Sequence, residues 1–215
     1  MTRIAHFSDL HGNLGPLLLR NSTETPDVWV CSGDVAPNFA RGEAAVEMPF
    51  QADWLQSQIA DLVTRLGGRP VVCVGGNHDY IDLAAILREH GVEAYNLDDG
   101  PVTVAGIRFA GFRAVPWIAG EWNGEAHDFR NMVEAALAAD PEVLVTHAPP
   151  ASILDDDNGC GHGHGIREIT TALAYRPHNV RAHLFGHIHA RGGQVAEEMG
   201  ITFSNAAGTV NVLTV

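Results

Sequence analysis

A layered α/β domain is what the sequence predicts, on three grounds: short apolar runs rich in β-branched residues, helical periodicities between them, and pairs of short runs split by tight turns. The buried-strand runs are residues 3–8, 27–32, 70–75, 142–146 and 181–185. Residues 52–66 place Leu55, Ile59, Leu62, Val63 and Leu66 at helical spacing and stop at Gly67-Gly68, where glycine tolerates the left-handed backbone of a C-terminal cap. Residues 81–90 and 128–139 read as helices by the same spacing. Residues 101–105 and 107–111 flank a tight turn, and 194–197, 201–204 and 209–213 are short strands divided at Gly200 and Gly208. Antiparallel pairs are therefore expected beside the parallel ones, which favours a mixed or two-sheet core. The irregular stretches 37–49, 112–123 and 149–165 are long for a compact domain, and substrate contacts are expected there.

The 215 residues fit one domain spanning 1–215, with no internal repeat, charged tail or Pro/Ser-rich linker to divide it. All 13 basic residues are arginine, against 26 Asp and Glu and 12 His, for a net charge of −13. Without lysine there is no Walker-type phosphate loop, no Schiff base and no Ser-Lys dyad, because each needs an ammonium group. The acidic balance disfavours a nucleic-acid partner, which requires a cationic face. No apolar run reaches the roughly 18–20 residues of a membrane span, and the N-terminus turns polar at Asp9 too soon for a signal peptide. A cytoplasmic protein without membrane contact is expected. Cys31 and Cys73 lie inside apolar runs and read as buried thiols.

The residues just beyond each buried run carry the chemistry. The five runs lead in turn into Asp9-Leu10-His11, Gly33-Asp34, Gly76-Asn77-His78-Asp79, His147 and Gly186-His187-Ile188-His189. In an open α/β sheet, ligands bind beyond the carboxyl ends of the strands, so these side chains are expected in one crevice. Asp9 and His11, like His187 and His189, are two apart, which in extended chain points both to one side. Imidazole, carboxylate and amide without thiolate suit Mn, Fe, Zn or Ni better than Ca or Mg. The set exceeds the needs of one ion and suits two ions sharing a carboxylate, a recurrent device for hydrolysing phosphate esters.

The order D-x-H, G-D, G-N-H-D, H, G-H-x-H resembles the calcineurin-like metallophosphoesterases, from Asp9 to His189. The resemblance implies a four-layer αββα sandwich of two mixed sheets with the metals at one rim. It implies Asp9, His11 and His189 on one divalent ion, Asn77, His147 and His187 on the other, and Asp34 between them. The implied reaction is in-line attack on phosphorus by a metal-bridging hydroxide, with His78 as general acid and Asp79 orienting it or favouring its protonated form. The opening Ser8-Asp9-Leu10-His11-Gly12-Asn13 and the segments 111–123 and 146–154 are similar to compact bacterial phosphodiesterases and to the group containing the mammalian MPPED-type proteins. The serine/threonine phosphatase branch, with its longer GDxxDRG and GNHE, fits less well. A small, nucleotide-like phosphodiester is the substrate this implies, with a phosphomonoester or nucleoside polyphosphate as the alternative within enzymes and a non-catalytic metal-binding scaffold as the alternative outside them.

Other polar residues divide between site and packing. Arg113 is a candidate fork for a phosphate oxygen. Trp117 and Trp122 read as loop packing, or else as faces for a base. The loop 159–165 (GCGHGHG) offers too few ligands for a separate structural zinc. It is either an overhang in which His162 or His164 contacts phosphate, or a connector. His6 and His183 read as packed core histidines, and the acidic runs 98–99 and 155–157 as solvated turns.

Overall fold

In the computed structural model, which describes residues 1–18, 25–40, 42–156 and 163–215, two mixed sheets stack face to face and carry helices on their outer faces. The first contains β1 (Arg3–Phe7), β2 (Val28–Cys31), β3 (Val71–Cys73), β4 (Ala94–Asn96) and β13 (Val210–Thr214), ordered β13-β1-β2-β3-β4. Its strands are parallel except β13, which pairs antiparallel with β1. The second contains β5 (Val102–Val104), β6 (Ile107–Phe112), β9 (Val143–Thr146), β10 (Ala182–Phe185), β11 (Val195–Glu198) and β12 (Ile201–Asn205), ordered β11-β12-β10-β9-β6-β5. Here β12, β10, β9 and β6 are parallel and the two edge strands are antiparallel. A short parallel pair, β7 (Val115–Pro116) and β8 (Glu125–Ala126), stands apart.

Period-two alternation sorts the side chains of each strand into two layers. Ile4, Val28, Val30 and Val72 meet Phe109, Val143, Val145 and Leu184 between the sheets. The opposite face of the first sheet, with Phe7, Trp29 and Cys73, packs on α1 (Ala44–Leu66) and α2 (Leu83–Glu89). The opposite face of the second, with Leu144, Phe185 and Phe203, packs on α3 (Arg130–Ala138) and α4 (Arg167–Tyr175). The layering is thus α, β, β, α, as the family resemblance implied. No helix among the described residues is long and apolar enough to cross a membrane.

Two departures from the sequence expectation have tertiary causes. α1 begins at Ala44 rather than residue 52 and runs through Pro49. The added turns put Glu47 and Gln51 fully inside, where they hold two loops: Glu47 accepts from the Phe39 and Ala40 amides, and Gln51 bonds the Pro37 and His78 carbonyls and the Tyr80 amide. These contacts outweigh the helix-breaking signal at Pro49. The second departure is β4, which no predicted run contained and which forms by pairing parallel with β3.

His6 and His183 are fully buried, as their apolar flanks predict. His6 bridges the sheets, with Nε2 2.9 Å from Ser32 Oγ and Nδ1 3.0 Å from Ser204 Oγ. His183 Nε2 is 2.8 Å from Thr146 Oγ1. Burial pushes both imidazoles down to about 3, against a small opposing pull from Asp9 on His6. The unfolded chain binds a proton at each near pH 6.5 and the folded chain does not, so their contribution to stability is complete above 6.5 and is lost as pH falls towards 3. Denaturant titrations across that window are expected to show each histidine lowering stability by about 1.4 kcal/mol per pH unit, and His183→Gln to flatten the slope.

Candidate metal centre

The parallel strands of both sheets point their carboxyl ends at one rim, and there the chain leaves the sheets abruptly. Asp9, His11, Asp34 and His187 have φ of +52°, +43°, +57° and +68°, a left-handed backbone that costs a non-glycine residue about 1–3 kcal/mol. The expectation that Asp9 and His11, or His187 and His189, share one side of an extended chain does not hold. The backbone coils because strand-end loops bond each other: Asp9 N–H donates to Gly33 O at 2.9 Å, and His11 N–H to Asp34 O at 3.0 Å. Coiling still delivers each side chain to the rim, and two glycines make room. A Cβ on Gly76 would strike the Asp34 carboxylate, and one on Gly186 the Asp9 carboxylate and the Ser8 hydroxyl.

Two clusters result. The ligand atoms of Asp9, His11 and His189 lie within 4.8 Å of one another, as do those of Asp9, Asp34 and His147. His11 Nε2 and His189 Nε2 face each other at 3.3 Å, and His189 Nε2 is 3.4 Å from Asp9 Oδ1. His147 Nδ1 donates to Ser32 O at 2.7 Å, which turns Nε2 towards Asn77 Oδ1 at 2.9 Å and Asp34 Oδ2 at 3.2 Å. Asn77 thereby joins the second cluster, and the His187 ring stands against that of His147 with centroids 5.1 Å apart. Asp9 Oδ1 is buried without a hydrogen-bond donor. An orphaned carboxylate oxygen beside facing imidazole nitrogens fits a divalent cation, whose charge would offset the desolvation.

The electrostatics arise from crowding buried charge. Burial pushes the Asp9 carboxyl up, but the adjacent His189 ring and the His147 charge outweigh it and hold it below the ordinary range. Asp34 is likewise held low against burial, chiefly by His147. Burial opposes protonation of His147, yet Asp34 and Asp9 lift it to about 9. His187, buried beside His147, is pushed down to about 4. His189 is raised by the Asp9 carboxylate beside it.

Around the clusters, the structure assigns surroundings that sequence spacing did not show. Asp79 does not touch the His78 ring. Its buried carboxylate accepts from the amides of Asp34 (2.7 Å), Val35 (3.0 Å), Ala36 (3.3 Å) and Gly76 (3.0 Å), tying the second and third strand-end loops together. Burial and the Asp34 charge push its pKa up. The partner of His78 is Asn38: its amide nitrogen donates to His78 O at 3.0 Å, which turns Oδ1 towards His78 Nδ1 at 2.5 Å. Asn38 lies in an irregular loop with no motif around it, so sequence reading had no signal for it. Arg113 Nη2 donates to Gly76 O at 3.2 Å and Asp79 O at 2.8 Å, so this corner of the guanidinium braces the loop that carries His78.

Of the remaining candidates, His162 lies outside the described residues. His164 is exposed, and its amide donates to Asp155 O at 2.9 Å. Asp155 is buried rather than solvated, accepting from the Ser152 and Gly165 amides, and Asp156 forms a bidentate pair with Arg191, while Asp157 lies outside the described residues.

Replacing one Asp79 oxygen by an amide nitrogen sets a donor against a backbone N–H. Asp79→Asn is therefore expected to lower stability by about 1–3 kcal/mol in urea titrations of the metal-free protein, and to weaken Mn²⁺ uptake measured by calorimetry.

Residues 2–191 match the calcineurin-like phosphoesterase family. Over 117 residues, 54% of this chain, the sequence is 30% identical to metallophosphoesterase domain-containing protein 1 of Homo sapiens and, equally, to that of Mus musculus. The aligned part spans 35% of each relative. With the family's motifs converging on one rim between two stacked sheets, the chain belongs to the calcineurin-like phosphoesterases.

Proposed function

We propose that the protein is a phosphodiesterase using two divalent transition-metal ions, Mn²⁺, Fe, Zn²⁺ or Ni²⁺, on a small nucleotide-like diester. The observation that carries this reading is the pair of clusters sharing Asp9, with the His78 ring beside them: its centroid is 5.0 Å from that of His11, at right angles. Asp9, His11 and His189 would hold one ion and Asn77, His147 and His187 the other, with Asp34 between, as its Oδ2 lies 3.2 Å from His147 and 4.0 Å from His11. When bound, the ions supply Lewis acidity towards the phosphoryl oxygens and the attacking water.

The chain's own residues supply position and a proton. His78 is anchored at its backbone amide, which donates to Asp34 Oδ1 at 2.8 Å, and at Nδ1 by Asn38. Those anchors leave Nε2 as the ring nitrogen for the leaving oxygen. Burial lowers the His78 pKa, with Asp34 pulling the other way. Asp79 and Asn38 act as positioning residues, one on the loop that carries Asp34 and the other on the acid.

With Mn²⁺, the protein is expected to bind two equivalents of metal by elemental analysis and to hydrolyse bis-p-nitrophenyl phosphate faster than p-nitrophenyl phosphate. Metal without turnover on any ester would favour a scaffold. His78→Ala is expected to keep both ions and lose about 100-fold or more on alkyl diesters, with a smaller loss on p-nitrophenyl esters, whose leaving group needs no proton. Asn38→Ala should fall in the same direction by less. Unchanged alkyl-diester rates in His78→Ala would remove His78 from the mechanism.

A further inference from the structure

We propose that Trp122 is the specificity platform for the leaving group, selecting diesters whose alcohol carries a flat aromatic substituent. The inference rests on the reading of His78 as the proton donor, because the substituent on the protonated oxygen must then lie beside the His78 ring. Trp122 occupies that place. Its ring centroid is 4.1 Å from that of His78, with the planes inclined by 46°.

The backbone that carries the indole is held by its own segment. The Glu125 carboxylate gathers the turn before it, accepting from the amides of Ile118 (3.2 Å), Ala119 (3.3 Å), Gly120 (2.5 Å) and Trp122 (3.2 Å). Asn123 then pins the turn to the loop that carries His78, donating from its backbone to Asn77 O at 3.1 Å and from its side chain to Asp79 O at 2.7 Å. A half-buried tryptophan fixed on both sides loses little freedom when a second ring stacks on it.

The side chain that stands against the face of His78 is the indole, whose π surface favours a neutral ring, as in a nucleoside or an aryl alcohol.

Diphenyl phosphate and dimethyl phosphate have the same charge and differ by their rings, so the ratio of their affinities for the Mn²⁺-loaded protein reads the platform directly. Calorimetry is expected to give diphenyl phosphate an advantage of about tenfold or more. Trp122→Phe, which keeps a ring face, should retain most of that ratio, and Trp122→Leu, which keeps bulk without a π face, should bring it close to one. A ratio that survives in Trp122→Leu, or a wild-type ratio near one, overturns the platform. Failure of the wild-type protein to hydrolyse any phosphoester instead overturns the reading of the site on which the platform rests.

Discussion

Three carboxylates, Asp9, Asp34 and Asp79, are buried where two sheets meet, and much of the rim is arranged around the cost of keeping them there. An ionised carboxylate taken from water needs hydrogen bonds or countercharge in return. Asp79 obtains backbone amides alone. Asp34 obtains the His78 amide and the His147 ring, and Asp9 the His187 amide, the Ser8 hydroxyl and the His189 ring. To aim those amides inward the strand-end loops adopt left-handed backbone at Asp9, His11, Asp34 and His187. The strain and the incomplete satisfaction of Asp9 Oδ1 are features that a bound cation would relieve, so binding and folding draw on the same groups.

This arrangement also joins the sheets. Their shared interior is apolar from Ile4 and Val28 to Phe109 and Leu184, and apolar packing by itself resists sliding weakly. Directional contacts cross it near the rim: His6 to Ser204, His147 to Ser32 O, and the His187 amide to Asp9 Oδ2. The relative placement of the two clusters is thus fixed by hydrogen bonds from one sheet to the other. That matters for an in-line reaction, in which small displacements of the reacting groups are costly.

The third layer of organisation lies outside the metal motifs. α1 reaches over the rim with Glu47 and Gln51, and the turn built on Glu125 approaches from the opposite sequence direction, so the loop that carries His78 is gripped by two separate segments. The loop that Glu47 holds supplies Asn38 to Nδ1 of the imidazole, and the Glu125 turn places Trp122 against its face. The segments that differ most from regular structure therefore surround the ring proposed to move a proton, while the ligands sit on strand ends held by the sheets.

How much of this was legible in the sequence depends on whether a property is local. Strand runs, most helices and the motif order could be read because alternation, helical periodicity and adjacent polar residues are written over a few consecutive positions. The buried thiols, the core histidines and the absence of lysine needed no partner to be recognised. The start of α1 at Ala44, the pairing of β4, the coiled backbone at the ligands and the roles of Asp79, Arg113, Asn38 and Trp122 each depend on residues distant in the chain. Sequence alone determined which chemical groups are present and in what order they succeed the strands. Tertiary structure decided which amide, carbonyl or ring each of them faces, because a buried carboxylate or guanidinium takes whichever partner the fold brings within hydrogen-bonding distance.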